Sequence, residues 1–238
     1  METFWKRQRR LYVKPWLNRF NAWKHVSYGG TNVYFKKHLD GGGSDFGQDF
    51  IPFLKLRHMP RQRRVFEWCA GPGFIGFSLL ANGLADELCL ADVNPEAVEA
   101  CRRTVQENGL ADRVSVYRSD NLTDIPASEK WDLVVGNPPH LPDDWIGDLR
   151  TYDEDWHIHR GFYRAVEKFL KPSGVIVLQE NNRGSTADTF KTMIEESGLT
   201  TVFAFECRPQ RTSYNRFYFI GVMRRGDPVP QWVSTPLG

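Results

Sequence analysis

The turn Asn137-Pro138-Pro139-His140 has the composition best suited to chemistry in this chain, and it directly follows an apolar run at 132–136. Each proline fixes its own φ and restricts the residue before it, so the turn is expected to be stiff and extended. The side-chain oxygen of Asn137 and the carbonyl of Pro138 are acceptors, which suit an amino or amide N–H group rather than an oxyanion. The turn is therefore a candidate nitrogen-binding site, although an ordinary strand-ending turn can have the same composition.

A glycine-rich segment, Glu67 to Gly76, lies upstream between a predicted strand and a predicted helix. Its spacing matches Gly-x-Gly-x-x-Gly, in which the first two glycines allow a tight turn close to a ligand and the third lets helix and strand pack. Nucleotide sites and plain strand–helix turns share this pattern, so it indicates little on its own. The candidate cofactor-binding residues of this segment are Glu67, Cys69, Ala70, Gly71, Gly73 and Gly76.

Acidic residues end the next two predicted strands. Asp92 follows the glycine loop by about 20 residues, where a carboxylate can accept hydrogen bonds from both ribose hydroxyls of NAD or of an adenosyl ligand. Asp120 and Asn121 precede the apolar Leu122, and an adenine amino group and ring face need that combination; a capping or turn role is the alternative for Asp120. The candidate cofactor-binding residues here are Asp92, Val93, Asn94, Asp120 and Asn121.

The elements that must position these residues alternate along the chain from residue 64 onward. Apolar β-branched runs predict strands near 64–68, 86–92, 113–118, 131–136, 174–180, 200–206 and 215–223. Periodic stretches predict helices near 74–83, 95–108, 159–170 and 186–197. The pattern predicts an α/β, Rossmann-like, seven-stranded and mostly parallel sheet with helices on both faces. No helix separates the last two strands, so we expect an antiparallel C-terminal hairpin.

The charge distribution sets the N-terminal region apart. The net charge is +2, but residues 1–64 contain 14 Lys/Arg against 4 Asp/Glu. Basic residues interleaved with aromatics can bind RNA through phosphate contacts and base stacking, or they form a solvated face whose aromatics dock on the main domain. We expect a basic, aromatic-rich cap or substrate segment at 1–60, the main domain at 61–225 and an extended tail at 226–238.

Composition also excludes several classes of protein. No apolar run approaches the ~20 residues needed to span a bilayer, and the N-terminus lacks the features of a secretory signal. The four cysteines are scattered without a Cys-x-x-Cys pair, so neither a metal site nor a disulfide framework is expected. A cytoplasmic protein without a metal is the expectation.

Together the motifs resemble those of the class I S-adenosylmethionine-dependent methyltransferases. Glu67 to Gly76 resembles their first motif, Asp92 their ribose-binding acid and Asp120 their adenine-side acid. Asn137 to His140 resembles the Asn-Pro-Pro-Tyr motif of the branch that methylates amino and amide nitrogens, as in the glutamine-amide methyltransferases of release factors. The resemblance covers about residues 60–225 and implies S-adenosylmethionine as the cofactor.

The resemblance also implies roles for single residues. Asn137 and the Pro138 carbonyl would hold the N–H groups of the acceptor nitrogen while the methyl group is transferred, with Asn137 also contacting the cofactor. His140 replaces the usual aromatic residue and would stack on a planar substrate or take a proton after transfer. Gln48 would reach the methionine end of the cofactor, and Glu67 its ammonium group or the glycine loop. The candidate substrate residues are Pro139, His140, Glu180 and Asn181.

Several functions stay open at this point. The acceptor is a protein side chain or a small amine-bearing molecule, or alternatively an RNA adenine. The acidic segment 143–155 would repel phosphate and favour a cationic or amine-bearing substrate, unless it is a solvated loop paired with the basic N-terminal segment. An NAD-dependent dehydrogenase would use the same glycine loop but leaves the Asn137 turn unexplained. A nucleic-acid-binding module without catalysis is the third class.

Overall fold

A computed structural model describes residues 22–143, 150–206 and 217–235. Its strands are β1 (Trp23–Tyr28), β2 (Thr31–Lys36), β3 (Gln62–Trp68), β4 (Ala85–Asp92), β5 (Val114–Arg118), β6 (Trp131–Gly136), β7 (Leu170–Asn181), β8 (Leu199–Glu206) and β9 (Phe217–Arg224). Its helices are α1 (Gly43–Phe46), α2 (Phe50–Leu56), α3 (Phe74–Ala81), α4 (Pro95–Glu107), α5 (His157–Val166), α6 (Ala187–Glu196) and α7 (Gln231–Ser234). None of the helices in these ranges has the length and apolar composition needed to cross a membrane.

The main sheet has the strand order β5-β4-β3-β6-β7-β9-β8. Neighbouring strands from β5 to β7 are parallel, whereas β9 runs antiparallel to both β7 and β8. The predicted seven-stranded, mostly parallel sheet with an antiparallel C-terminal hairpin is thus confirmed. β3 and β6 are parallel neighbours, but the chain adds β4 and β5 on one side of β3 and then adds β6 and β7 on the other side. Such a switch in strand order opens a crevice at the carboxyl ends of the two strands.

Two hydrophobic cores cover the two faces of this sheet, because successive residues of a strand point to opposite sides. In β6, Leu133 and Val135 belong to one core and Val134 to the other. The first core contains side chains of α2, α3 and α4, and the second contains side chains of α5 and α6. The prediction of helices on both faces is therefore confirmed.

The boundary between α5 and β7 differs most from the prediction. β7 begins at Leu170, so the helix predicted over 159–170 ends at Val166 and is followed by a short 3-10 turn. The register of β7 against β6 shifts between the pairs Trp131–Leu170 and Leu133–Val175. Pro172 lies in this irregular stretch, and Ser173 adopts a φ of 60° there. A local bulge thus replaces the helix-to-strand turn that the sequence pattern indicates.

The β1–β2 hairpin of the N-terminal segment packs on helices α3 and α4 of the main domain. β1 and β2 form an antiparallel hairpin, and β2 is joined to α4 by hydrogen bonds from Asn32 N to Asn108 Oδ1 (2.9 Å) and from Tyr34 N to Thr104 Oγ1 (2.9 Å). The Trp23 ring lies 4.7 Å from the Arg103 guanidinium. The other aromatic residues noted in the basic segment, up to position 20, lie outside the described residues.

The sequence predicted an extended C-terminal tail, but Gln231–Ser234 form a helical turn. Trp232 and Val233 are buried in the first core, so apolar burial draws this segment onto the domain. The buried Arg57 guanidinium donates to the carbonyls of Val233 (2.8 Å) and Trp232 (3.2 Å). These bonds satisfy carbonyl groups that a helix end leaves without partners.

A buried ionic cluster lies in the second core. His159 Nδ1 is 2.7 Å from Asp153 Oδ2, His159 Nε2 is 3.0 Å from Glu180 Oε1, and all three side chains are fully buried. Burial alone would lower the pKa of His159, but the Glu180 charge and the hydrogen bonds to both carboxylates outweigh it and raise that pKa to about 9. The imidazole is therefore a cation held between two anions.

Replacing Arg57 by Ala should lower the free energy of unfolding by about 2 kcal/mol, because it removes charge-assisted bonds to buried carbonyls and packing over Phe203. Urea unfolding measures the change. Arg61→Ala is the matched control, since Arg61 forms an exposed ion pair with Asp86 and should cost about 0.5 kcal/mol. Equal losses in the two variants would contradict the docked tail.

Stability should depend on pH through His159. Its folded pKa lies above the unfolded value of about 6.5, so its contribution is fully present below that pH and is lost as the pH rises through about 9. Unfolding free energies of wild type and His159→Gln should therefore differ by about 3 kcal/mol near pH 6 and by much less near pH 9.5. His25→Gln, on the exposed hairpin, is the control. A difference that does not change with pH would rule out the charged imidazole.

Candidate active site

A cavity of about 630 Å³ lies at the carboxyl ends of β3, β4, β5 and β6. It occupies the crevice between β3 and β6 and has the size of a drug-sized ligand site. Most of the predicted site residues line it. They are Glu67, Cys69, Ala70, Gly71, Asp92, Val93, Asn94, Asp120, Asn121, Asn137, Pro139 and His140.

The path of the glycine loop depends on backbone conformations and close contacts that only glycine allows. Gly71 and Gly73 have φ values of 52° and 82°, the left-handed region that favours glycine. A Cβ at Gly73 would lie 2.8 Å from the Phe77 ring, so this residue lies against the core rather than in the cavity wall. Gly76 likewise lies behind the loop, where a Cβ would meet Glu67 Oε2 at 2.7 Å. Both glycines shape the loop and do not line the cavity.

Glu67 joins the end of β3 to the start of α3. Its two carboxylate oxygens accept hydrogen bonds from Gly76 N (2.7 Å) and Ile75 N (3.3 Å), and only 2% of the residue is exposed. Burial raises the pKa of Glu67 to about 8, although these two N–H groups oppose the shift. The geometry favours the loop-orienting role of Glu67 over direct contact with a cofactor ammonium group.

Asp92 ties the glycine loop to the end of β4. Its Oδ2 accepts from Gly71 N at 2.7 Å and its Oδ1 from Asn94 N at 2.8 Å. Burial raises the pKa of Asp92, which these backbone donors counteract. Each carboxylate oxygen has a second acceptor site, so Asp92 can still bind two hydroxyl groups in the cavity. Asn94 instead caps α4, accepting from Glu96 N at 3.0 Å.

The Asp120 end of the cavity combines one exposed carboxylate with an apolar wall of Leu122, Ile125 and Phe169. Asn121 has a φ of 56° and donates from Nδ2 to the carbonyl of Ile158 at 2.8 Å. Its amide therefore anchors the start of α5, while Asp120 is the polar group beside the apolar wall. This arrangement matches the amino group and ring face predicted for an adenine.

The Asn137 side chain is oriented by hydrogen bonds to residues that do not line the cavity. Its Nδ2 donates to Gln179 Oε1 at 2.8 Å, and Gln179 Nε2 donates to Asp49 Oδ2 at 3.3 Å. Asn137 Oδ1 is thereby left as the end of the amide available to the cavity. Sequence reasoning missed Gln179, although a polar residue at the end of the apolar run 175–178 was a usable signal.

His140 is a neutral base in this geometry. Burial lowers its pKa to about 4; the Pro138 carbonyl opposes the shift, and His159 and Arg183 add to it. His140 Nδ1 lies 3.2 Å from Pro138 O, and because a carbonyl only accepts, Nδ1 holds the proton. The unprotonated nitrogen is then Nε2. Pro138 itself is buried, and its carbonyl has one acceptor site left.

Besides Gly73, Gly76 and Pro138, three predicted site residues lie outside the cavity wall. Glu180 is buried against His159 at 3.0 Å, so it is part of the ionic cluster rather than a substrate-facing group. Asn181 is also buried, and its Oδ1 accepts from Arg183 N at 3.0 Å. Gln48 is exposed, with its backbone N donating to Asp45 O. For Glu180 the reason is electrostatic, because the buried imidazolium needs an anion beside it.

Two curated relatives illustrate what the chain is similar to in sequence. It is 29% identical to a release factor glutamine methyltransferase of Clostridium acetobutylicum, over 63% of this chain and 56% of that one. It is 32% identical to a ribosomal RNA small subunit methyltransferase C of Shewanella denitrificans, over 67% of this chain and 40% of that one. The chain thus spans about half the length of these relatives.

Solved structures share the fold at low identity. The T. thermophilus 16S rRNA N2 G1207 methyltransferase, in complex with AdoMet and guanosine, matches with a TM-score of 0.58 and 15% identity over 86% of this chain and 50% of that one. M. jannaschii TYW2, in complex with AdoMet, matches with a TM-score of 0.56 and 16% identity over 85% of each chain. At such identities the likeness establishes the fold alone.

A family model, the methyltransferase small domain, matches residues 30–201. This range contains the glycine loop, Asp92, Asp120, the Asn137 turn and all of β7 and α6, and it extends into the N-terminal segment. The resemblance to methyltransferases noted in the sequence is therefore confirmed. The chain belongs to the methyltransferase small domain family.

Proposed function

We propose that the chain transfers a methyl group from S-adenosylmethionine to a planar amide or amino nitrogen. The observation that carries this proposal is the orientation of Asn137, whose Nδ2 is bound to Gln179 so that Oδ1 is available to the cavity. An acceptor oxygen at that point suits an N–H group. The same cavity contains Asp92 and the glycine loop, the residues suited to the methyl donor.

The residues present fit S-adenosylmethionine. Asp92 has acceptor sites for two ribose hydroxyls, and Asp120 with Leu122 and Ile125 suits the adenine amino group and ring. At Gly71 an added Cβ would meet nothing within 4 Å, which places open space directly beside the loop. When bound, the cofactor supplies a sulfonium methyl group.

The protein's contribution is to hold the acceptor nitrogen. Asn137 Oδ1 and the remaining acceptor site of the Pro138 carbonyl can each take one N–H, which directs the nitrogen lone pair toward the cofactor side of the cavity. These hydrogen bonds strengthen as the nitrogen becomes positive in the transition state, so they favour the transition state over the ground state. Positioning of this kind can supply about 7–11 kcal/mol.

His140 indicates which class of nitrogen is used. A pKa of about 4 makes Nε2 a weak base, one that cannot deprotonate an alkylammonium group with a pKa of about 10. The cation formed when an amide or nucleobase amino nitrogen receives the methyl group is far more acidic than an alkylammonium, and Nε2 can accept its proton to leave the neutral N-methyl product. The names of the relatives include a glutamine methyltransferase and a ribosomal RNA methyltransferase, which is compatible with either class of acceptor.

The segment before the main domain contributes to the same cavity. Leu39, Gly41, Gly43 and Gly47 line its wall, and Arg150 Nη1 donates to the His38 carbonyl at 2.7 Å. These contacts support the assignment of residues 1–60 as a cap or substrate segment beside the main domain. An RNA-binding role of the basic residues before position 22 is a separate hypothesis.

Tritiated S-adenosylmethionine incubated with protein and RNA fractions of a heat-treated cell extract tests the proposal. Label is expected in one fraction, and protease or RNase sensitivity identifies its class. S-adenosylhomocysteine should raise the melting temperature and NAD should not, because the proposed function assigns the site of Asp92 and the glycine loop to the methyl donor. Stabilisation by NAD without methyl transfer would favour a dehydrogenase.

Replacing Asn137 by Ala should lower the rate of labelling by about 10²-fold, since it removes an acceptor aimed at the reacting nitrogen. The calorimetric Kd for S-adenosylhomocysteine should change little, because Asp92 and the glycine loop stay in place. Asn182→Ala, at an exposed asparagine directly after β7, is the control. Full activity of Asn137→Ala would contradict nitrogen chemistry at this turn.

His140→Phe separates the two roles of His140, because phenylalanine keeps a ring that can stack and loses the base. If Nε2 accepts the proton, His140→Phe should be as slow as His140→Ala, about 10²-fold below wild type at saturating cofactor. Activity of His140→Phe close to wild type, with His140→Ala slow, would assign stacking instead. Initial rates on the labelled fraction distinguish the outcomes.

A further inference from the structure

We propose that Asp49 and Gln179 are positioning residues which fix the end of the Asn137 amide that faces the acceptor. This inference rests on the proposed function and deepens it. The two prolines of the turn restrict the backbone, but they do not decide which end of the Asn137 amide points into the cavity. The oxygen and nitrogen of an asparagine amide have similar size, and only hydrogen-bond partners distinguish them.

Asp49 determines which atom of each amide, oxygen or nitrogen, faces its neighbour. An ionised carboxylate can only accept, so Gln179 must turn its Nε2 toward Asp49 Oδ2, which lies 3.3 Å away. Gln179 Oε1 is then directed at Asn137, and because an amide oxygen also only accepts, Asn137 must present its Nδ2 at 2.8 Å. Asn137 Oδ1 is the remaining end. The charge of Asp49 thereby selects an acceptor, rather than a donor, for the cavity.

The fold holds these three residues in register. Gly136 pairs with Leu178 in the parallel ladder of β6 and β7, so Asn137 and Gln179 are the next residues along the two strands. Gln179 is fully buried, and a reversed amide there would leave its polar atoms facing groups of the same kind. Asp49 directly precedes α2, whose Phe53 stacks on Phe219 of β9 with ring centroids 4.2 Å apart.

Asp49 belongs to the segment that precedes the main domain, and its carboxylate does not cap α2, the helix that follows it. A helix-capping role therefore does not account for Asp49 in this structure. Its partner is Gln179, at a separation of 130 residues. A residue of the N-terminal segment thus acts on the reacting centre through two side-chain amides.

Three variants test which end of each amide is oriented toward its neighbour. Gln179→Met removes the acceptor for Asn137 and should lower the labelling rate by about 10-fold or more. Asp49→Asn keeps the shape but can donate or accept, so the polarity is no longer imposed and the rate should fall several-fold. The double variant D49N/Q179E restores it, because the new amide at position 49 and the amide of Asn137 must both donate to the new carboxylate. We expect its rate to return to within about 2-fold of wild type.

Asp45→Asn is the matched control, as it removes a neighbouring exposed carboxylate that does not contact Gln179. The Kd for S-adenosylhomocysteine should stay near the wild-type value in every variant, while kcat at saturating S-adenosylmethionine changes. A wild-type rate for Asp49→Asn, or a double variant no faster than Asp49→Asn alone, would overturn the proposal. A purely structural role of Gln179 predicts no rescue.

A second readout does not depend on methyl transfer. In ¹⁵N NMR spectra, the side-chain amide protons of Asn137 and Gln179 should be protected from solvent exchange in wild type, less protected in Asp49→Asn, and protected again at Asn137 in the double variant. If this pattern holds in a protein that labels neither fraction, the arrangement stands and the proposed function fails. If methyl transfer occurs without the pattern, the positioning role alone is wrong.

Discussion

The site depends on the hydrogen bonds that the buried carboxyl group of Glu67 accepts from the backbone. This carboxyl group lies at the end of β3 and accepts two N–H groups from the first turn of α3, so strand and helix are joined at the point where the glycine loop must turn. Asp92 makes the corresponding bond from β4 to Gly71. Together the two carboxylates satisfy backbone donors that would otherwise be buried without partners, and they fix the loop's path without any side chain of the loop itself.

The same physical logic operates on the acceptor side of the cavity with different groups. Here a turn stiffened by prolines places Asn137, and its side-chain amide, rather than a carboxylate, faces the cavity. Charge is kept one step away, at Asp49 and in the buried cluster around His159. An amide acceptor binds a neutral N–H group without the cost of desolvating an anion in the cavity, which suits a nitrogen that becomes positive only during the reaction.

Local sequence patterns were sufficient for the main-sheet strands apart from the start of β7, and for the C-terminal hairpin, the glycine loop and the acids at the strand ends, but they did not indicate the hairpin of β1 and β2. Each of those features is specified by residues close together in the chain, such as Asn94-Pro95 at the start of α4 or the two prolines after Asn137. Glu180 was misplaced because its partner, His159, lies on another element and its burial is a tertiary property. The contacts of Gln179 with Asn137 and Asp49 could not be predicted for the same reason, although the polar residue at the end of an apolar run was a usable signal for Gln179. Trp232 gave no periodic pattern that would indicate docking.

The contact between Asp49 and Gln179 also bears on how proteins of this fold can be recombined. Segments in front of a catalytic domain are commonly regarded as exchangeable modules that alter only what is bound. If Asp49 positions Asn137 as proposed, such an exchange would alter the acceptor side of the cavity itself, since a grafted segment without an acid at position 49 would leave the orientation of the Asn137 amide unfixed. The boundary expected near residue 60 would then separate sequence motifs without separating two chemically independent units.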